Sequence, residues 1–407
     1  MRATSSPNEL HITIGVYPAK DANLRQDIKL IKAALLYADR VTIYSPSAAL
    51  LQIATRLGDL SETEQLRFLE MVAPYVASSS DAAKIVDGLR KLRDPRFSQS
   101  PQGRLIKSAL LKQFASSWEE IRRVVNNLAE TAGMREVVEA LSSGMLEIHQ
   151  FATQTNNSDV MQFMVDCVAK ASGKQLSAQQ AASISHRQNE MTKEFVAGIC
   201  SAVASSSTYP LFDKDTGQLV SLAQKVVNAP TSSTSQQRAR HIAFASDMFR
   251  RLHVFDSASI RDVLLVRGEL DKHLVRFRKS VIEFASDVAS SPWDDDFEKE
   301  TELLFRKEIA PAILDLEDEI KSNNFLGQLA RKAVDRPLVL TPGATLSLVL
   351  SQLTSLPDEI AGGFGIGISA AALVYDAYKE GSEKQRAIER NGLYFYYRVD
   401  RKLEGLS

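Results

Sequence analysis

The segment Gly365-Ile366-Gly367-Ile368-Ser369-Ala370 has the spacing G-x-G-x-x-A, which in a dinucleotide-binding turn brings backbone N–H groups to a pyrophosphate. That chemistry needs a strand before the glycines and a helix N-terminus after them. The residues ahead, SLPDEIA, instead read as a helix start, with Pro357, Asp358 and Glu359 in its first turn, and no acidic residue completes the fingerprint. The stretch therefore reads as a packing helix. Gly363, Gly367 and Ala371 form one row of small residues, and Ala361, Gly365 and Ser369 form a second beside it, so that another backbone can come close. The run from Ile360 to Tyr375 carries no charge but falls short of the roughly twenty residues a spanning helix needs. A self-assembling or membrane-active role for this helix stays an alternative.

A second place for chemistry is the carboxyl edge of a parallel sheet, where open α/β folds bind ligands. Tyr17, Lys20 and Asp21 follow one expected strand, and Tyr44, Ser45 and Ser47 follow the next. A lysine with hydroxyls beside a helix N-terminus suits a phosphate or another anion, although cap and turn roles explain the same residue types. Asp39 reads as a turn carboxylate. A basic group, Arg90, Lys91, Arg93, Arg96 and Arg104, lies on a loop-like segment and is the better candidate for an anionic partner.

Other chemistries find little footing. Gly173-Lys174 lacks the upstream glycine and following Ser/Thr of a phosphate-binding loop. The histidines, at 11, 149, 186, 241, 253 and 273, never recur at metal-binding spacing, so no metal is expected. Asp213-Lys214-Asp215-Thr216-Gly217 resembles the opening of a calcium loop without its distal glutamate, and reads as a turn. No cofactor is implied. Cys167 and Cys200 make no disulfide framework, which fits a reducing cytoplasm. With 49 Lys plus Arg against 50 Asp plus Glu, the net charge is −1. That balance gives no global pull toward nucleic acid or anionic membrane.

The elements that must position these residues begin with a βαβ unit. Residues 10–17 are rich in β-branched types and stop at Pro18, which reads as a buried strand; Leu24, Ile28, Ile31, Leu35 and Leu36 recur at helical spacing, and RVTIYSP follows Asp39. The middle is helical in pattern, with loops expected at Asp94–Gly103, Gln154–Asp159 and Ser205–Gly217 and a linker at Asn228–Gln237. Ser259 with Asp262 resembles a capping box, and Val263, Val266, Leu270, Leu274, Phe277, Val281, Phe284 and Val288 form a seam. A second, acidic arm follows SSPWDDD and is expected to kink at Pro311, its charge neutralising the arginine-rich first arm. Strands are expected at Leu338–Thr341 and, on aromatic content, Leu393–Val399.

The fold class expected is mainly α with a small α/β layer, α+β overall, in which the two chain ends share one sheet and a helical body with a long antiparallel hairpin is inserted. The corresponding units are 8–58 with 336–407, then 59–228, then 238–335. PWDDDF, EIAPAI and LLYADRVTIYSP resemble segments of a bacterial protein and imply no activity. The function expected is that of a cytoplasmic helical interaction or regulatory protein with a protein partner or self-association; whether it is an enzyme stays open. An enzyme or nucleotide/anion sensor at the βαβ edge is the alternative, nucleic acid is not favoured, and membrane binding is not expected.

Overall fold

The structure, a computed structural model, describes residues 9–17, 24–49, 52, 61–76, 79–112, 127, 130–151, 162, 165, 178–205, 207–227, 233–335 and 383–406. It is mostly helical around a small parallel sheet. In chain order the strands are β1 (His11–Gly15), β2 (Arg40–Tyr44), β3 (Leu146–Ile148) and β4 (Tyr209–Phe212). The helices are α1 (Arg25–Tyr37), α2 (Glu62–Val76), α3 (Ser79–Leu92), α4 (Pro95–Gln99), α5 (Met134–Ser142), α6 (Ala178–Ala204), α7 (Lys214–Val227), α8 (Ser233–Arg250), α9 (Ile260–Ala285), α10 (Phe297–Leu304), α11 (Ala310–Asp335) and α12 (Tyr394–Glu404).

The βαβ unit forms as its pattern predicts. β1 and β2 pair in parallel with Ile12 beside Val41 and Ile14 beside Ile43, all fully buried. The sheet order is β3-β2-β1-β4, every pairing parallel. The chain steps outward from β1 through β2 to β3 and then crosses to the far side of β1, so the order reverses between β1 and β4.

The period of two along each strand sorts the faces. Ile12, Ile14, Val41, Ile43, Leu146, Ile148 and Leu211 share the apolar face. On the other face Gly15 lies beside Tyr44 and Phe212, and a Cβ at Gly15 would meet Phe212 at 2.8 Å and Ile199 and Thr216 at 3.0 Å. Lack of a side chain at Gly15 is thus what lets α6 and α7 close on β1.

Two expectations about the sheet are corrected. Leu393–Val399 does not add a strand: Tyr394–Glu404 is a helix. Phe395, Val399 and Leu403 recur every fourth residue and are buried, and Phe395 and Tyr396 stack on Phe277 of α9 at 5.2 and 6.4 Å between ring centroids. Burial of that aromatic face outweighs a β-propensity worth at most about 1 kcal/mol per residue. The outer strands come instead from the chain's middle, and β4 lies inside the Ser205–Gly217 segment expected to be a loop. Likewise Asp94–Gly103 is not a loop. Asp94 caps α4, its carboxylate accepting from the Arg96 N–H at 2.9 Å with Pro95 opening the helix, and residues 101–112 are helical. The expected strand at Leu338–Thr341 lies outside the described residues.

Of the two arms, α9 begins with the capping box: Ser259 and Asp262 each accept from the other's backbone N–H. Its seam residues Val263, Val266, Leu270, Leu274, Phe277 and Val281 are buried. The second arm distorts ahead of Pro311 into a π-helical turn, Phe305–Ile309, in which the Ala310 N–H bonds back to the Phe305 carbonyl. The arms are not each other's main partners. α9 packs most extensively against α12 and α1, and Arg267 and Arg278 turn to Asp39 while Glu302 pairs with Arg251 and Glu317 with Arg401. Mutual charge neutralisation within the hairpin is therefore corrected. Among the described residues no helix is long and apolar enough to cross a membrane.

Candidate functional site at the carboxyl edge of the sheet

Parallel strands send all their carboxyl ends to one edge, and here that edge collects polar side chains from separate elements. At the reversal between β1 and β4, Asp213 follows β4. Its carboxylate accepts from the Thr216 N–H at 2.9 Å, capping α7, and from the Tyr17 N–H, tying the end of β1 to the start of that helix. Burial raises its pKa against these hydrogen bonds.

Behind it lies Asp27, in the first turn of α1 and only 1% exposed. Burial pushes its pKa up to about 6; the Ser45 hydroxyl pulls the other way, and the nearby Asp213 adds to the rise. The Ser45 oxygen accepts from the Ala48 N–H at 3.1 Å, which leaves the hydroxyl proton to face Asp27. Asp27 Oδ1 and the hydroxyl of the fully buried Thr216 have no protein partner.

Further along the edge, β2 ends in Tyr44 and His149 follows β3. Their rings stack at 4.1 Å between centroids with 20° between planes, and Phe151 meets His149 edge-on at 5.2 Å. The His149 Nε2 lies 3.5 Å from the Glu194 carboxylate of α6, both side chains about 30% exposed. Burial, with Glu194 and Glu147, raises the Tyr44 phenol. Gly198, one turn beyond Glu194, gives the Tyr44 ring its place, since a Cβ there would run into it. An imidazole beside a carboxylate and partly open to solvent is equipped to move a proton. Strands lie about 4.8 Å apart, so the three spacings from β4 to β3 span roughly 14 Å.

Of the residues singled out from sequence, Tyr17, Tyr44 and Ser45 reach this edge, and half-buried Ser47 sits in the helical turn at 46–49. Tyr17 packs edge-on against Phe195 at 6.2 Å. Lys20 and Asp21 lie outside the described residues, as do Gly363, Gly365, Gly367, Ser369 and Ala371. Arg90 and Lys91 end α3, with Lys91 paired to Asp87 at 2.7 Å, Arg93 to Glu70, and Arg96 in the capped turn. Residue Arg104 is helical and exposed. Asp27, His149, Glu194 and Asp213 were not legible as a site. Asp213 had a turn signature, but Glu194 is far from His149 in sequence and no local motif joins them.

Searches against models of protein families, curated proteins and solved structures return no match to this chain.

Proposed function

We propose that this chain binds a small ligand at the carboxyl edge of its parallel sheet, with His149 as a general base oriented by Glu194 and stacked on Tyr44. The observation carrying this reading is that separate elements place Asp27, Ser45 and Asp213 at the reversal of strand order and His149 with Glu194 further along the same carboxyl edge. Its acidic character favours a cation, or a cationic or hydroxyl-bearing ligand, over a bare anion. Asp213 is half-buried and touches the ligand; Asp27, behind it, holds charge or a proton in reserve.

The test is thermal unfolding of the wild type, H149A and D213N with separate additions of Mg²⁺, Mn²⁺, nucleosides, nucleotides and polyols. One class should raise the wild-type Tm and lose that effect in both variants. Asparagine still caps a helix, so D213N should fold. Equal shifts in all three proteins, or none, would remove the reading.

A second reading, an interaction or regulatory protein working through helix surfaces, draws on α9. Val275 is 71% and Ile282 41% exposed, seven residues apart on one stripe. Analytical ultracentrifugation of wild type and V275D/I282D would show whether that stripe joins copies of the chain.

A further inference from the structure

At the reversal of strand order, main-chain hydrogen bonds fix the strand ends before any ligand arrives. The Val16 N–H donates to the Tyr44 carbonyl at 3.0 Å and the Asp213 N–H to the Gly15 carbonyl at 3.2 Å, which holds the ends of β2, β1 and β4 side by side. The Leu24 N–H donates to the Ala132 carbonyl at 2.9 Å and so sets the start of α1, whose first turn carries Asp27.

Two side-chain oxygens at this point are buried and unused. Asp27 is 1% and Thr216 0% exposed, and neither Asp27 Oδ1 nor the Thr216 hydroxyl makes a hydrogen bond. Polar atoms in that state cost stability unless something meets them. They lie to either side of Asp213: the Thr216 hydroxyl is close enough to steady the Asp213 carboxylate, and Asp213 acts through space on Asp27. Asp213 accepts the N–H groups of Thr216 and Tyr17, which leaves lone pairs on its carboxylate for a cation.

We infer that Asp27, Asp213 and Thr216 hold a hard divalent cation of the magnesium class. The donors are oxygen only, without imidazole or thiolate, which suits magnesium or manganese and not zinc or copper. Two carboxylates match a double positive charge. The N-termini of α1 and α7 also open here and oppose a cation, but about half a charge from each is outweighed by the two carboxylates. Magnesium keeps several waters, and half-buried Asp213 leaves a solvent side for them. An ion here presupposes the ligand reading of this edge and is an occupant in its own right.

The experiment is isothermal titration of the full chain with MnCl₂, with MgCl₂ as competitor, for the wild type, D27N, D213N and T216V. The wild type should bind one Mn²⁺ that Mg²⁺ displaces. D27N and D213N should each bind it at least tenfold more weakly, and T216V a few-fold more weakly. D27N removes a buried charge and D213N keeps a helix cap, so both should fold, as cooperative melts without metal would show. Mn²⁺ should then raise the Tm of the wild type and not of D27N, since it binds the folded state. Binding at acidic residues elsewhere is the same in both, so the comparison decides. Absence of binding, or equal affinity in the wild type and D27N, would overturn the ion site. A nucleoside or polyol that still raised the Tm would then show the ligand reading surviving that loss.

Discussion

Asp39 and Asp27 belong to one βαβ unit and meet opposite environments at its two edges. At the amino edge, Asp39 accepts from Arg267 at 3.0 Å, from Arg278 at 2.9 and 3.2 Å, and from the Leu10 N–H at 2.9 Å. Both guanidiniums also donate to carbonyls that end α1, those of Ala38 and Tyr37. Burial pushes the Asp39 pKa up, but Arg278, the Leu10 N–H and Arg267 together pull it below the usual range. At the carboxyl edge, Asp27 is more deeply buried, meets no cation among these contacts, and its pKa is pushed up to about 6. One aspartate fastens α9 to the sheet. The other keeps an unused oxygen beside the half-buried Asp213 carboxylate, an arrangement that costs stability and that a ligand would relieve.

The largest effect is expected from breaking the paired edge. D39A strands two arginines whose side chains are 13% and 16% exposed, and should cost about 3 kcal/mol in urea unfolding. Loss below 1 kcal/mol would mean that the pair is screened like a surface bridge.

The pH dependence of stability separates the edges by sign. Asp27 has its folded pKa raised, so its contribution is fully present below the unfolded value of about 3.9 and is lost as pH rises through about 6. Relative to D27N, the wild type should lose about 2 kcal/mol between pH 4 and pH 7. Asp39 behaves oppositely, contributing above its unfolded pKa and losing that contribution as pH falls through its lower folded value. Parallel urea midpoints for wild type and D27N across this range would contradict the contrast.

A smaller effect concerns the Tyr44–His149 stack. G198A should gain up to about 1 kcal/mol in helix propensity but lose about 1–3 kcal/mol by overpacking the Tyr44 ring. The net loss should come with a changed ring-current shift of His149 in NMR spectra. An unmoved His149 signal would show that the ring has other room.

Smallest is T216V. Removing a buried, unpartnered hydroxyl while keeping the shape should leave stability within about 1 kcal/mol of the wild type, or raise it. If that hydroxyl serves the ligand, the ligand-dependent rise in Tm falls while the ligand-free Tm holds. An equal ligand response in T216V would remove Thr216 from the site.

The legible parts of the fold were those whose signals are local. The β-branched run of β1, the apolar period of α1, and the Ser259/Asp262 box each act within a few residues. β3 has three residues and β4 four, one of them Pro210, too short for a period to register before their neighbours in the sheet are known. The aromatics of α12 misled because aromatic content suits strands, whereas Phe395, Val399 and Leu403 already had the helical spacing. The edge was partly legible, since a βαβ unit points to where its ligands lie and so to Tyr17, Tyr44 and Ser45. Asp27 hid among the polar residues of an amphipathic helix, and the burial that sets its pKa depends on β2, β4 and α7 together.

The most direct test of the contrast between the edges is carboxyl ¹³C NMR titration of aspartate-labelled wild type and D27N. One aspartate should titrate near pH 6 in the wild type and be missing from D27N. A wild-type spectrum in which every aspartate titrates below about pH 4.5 would contradict it.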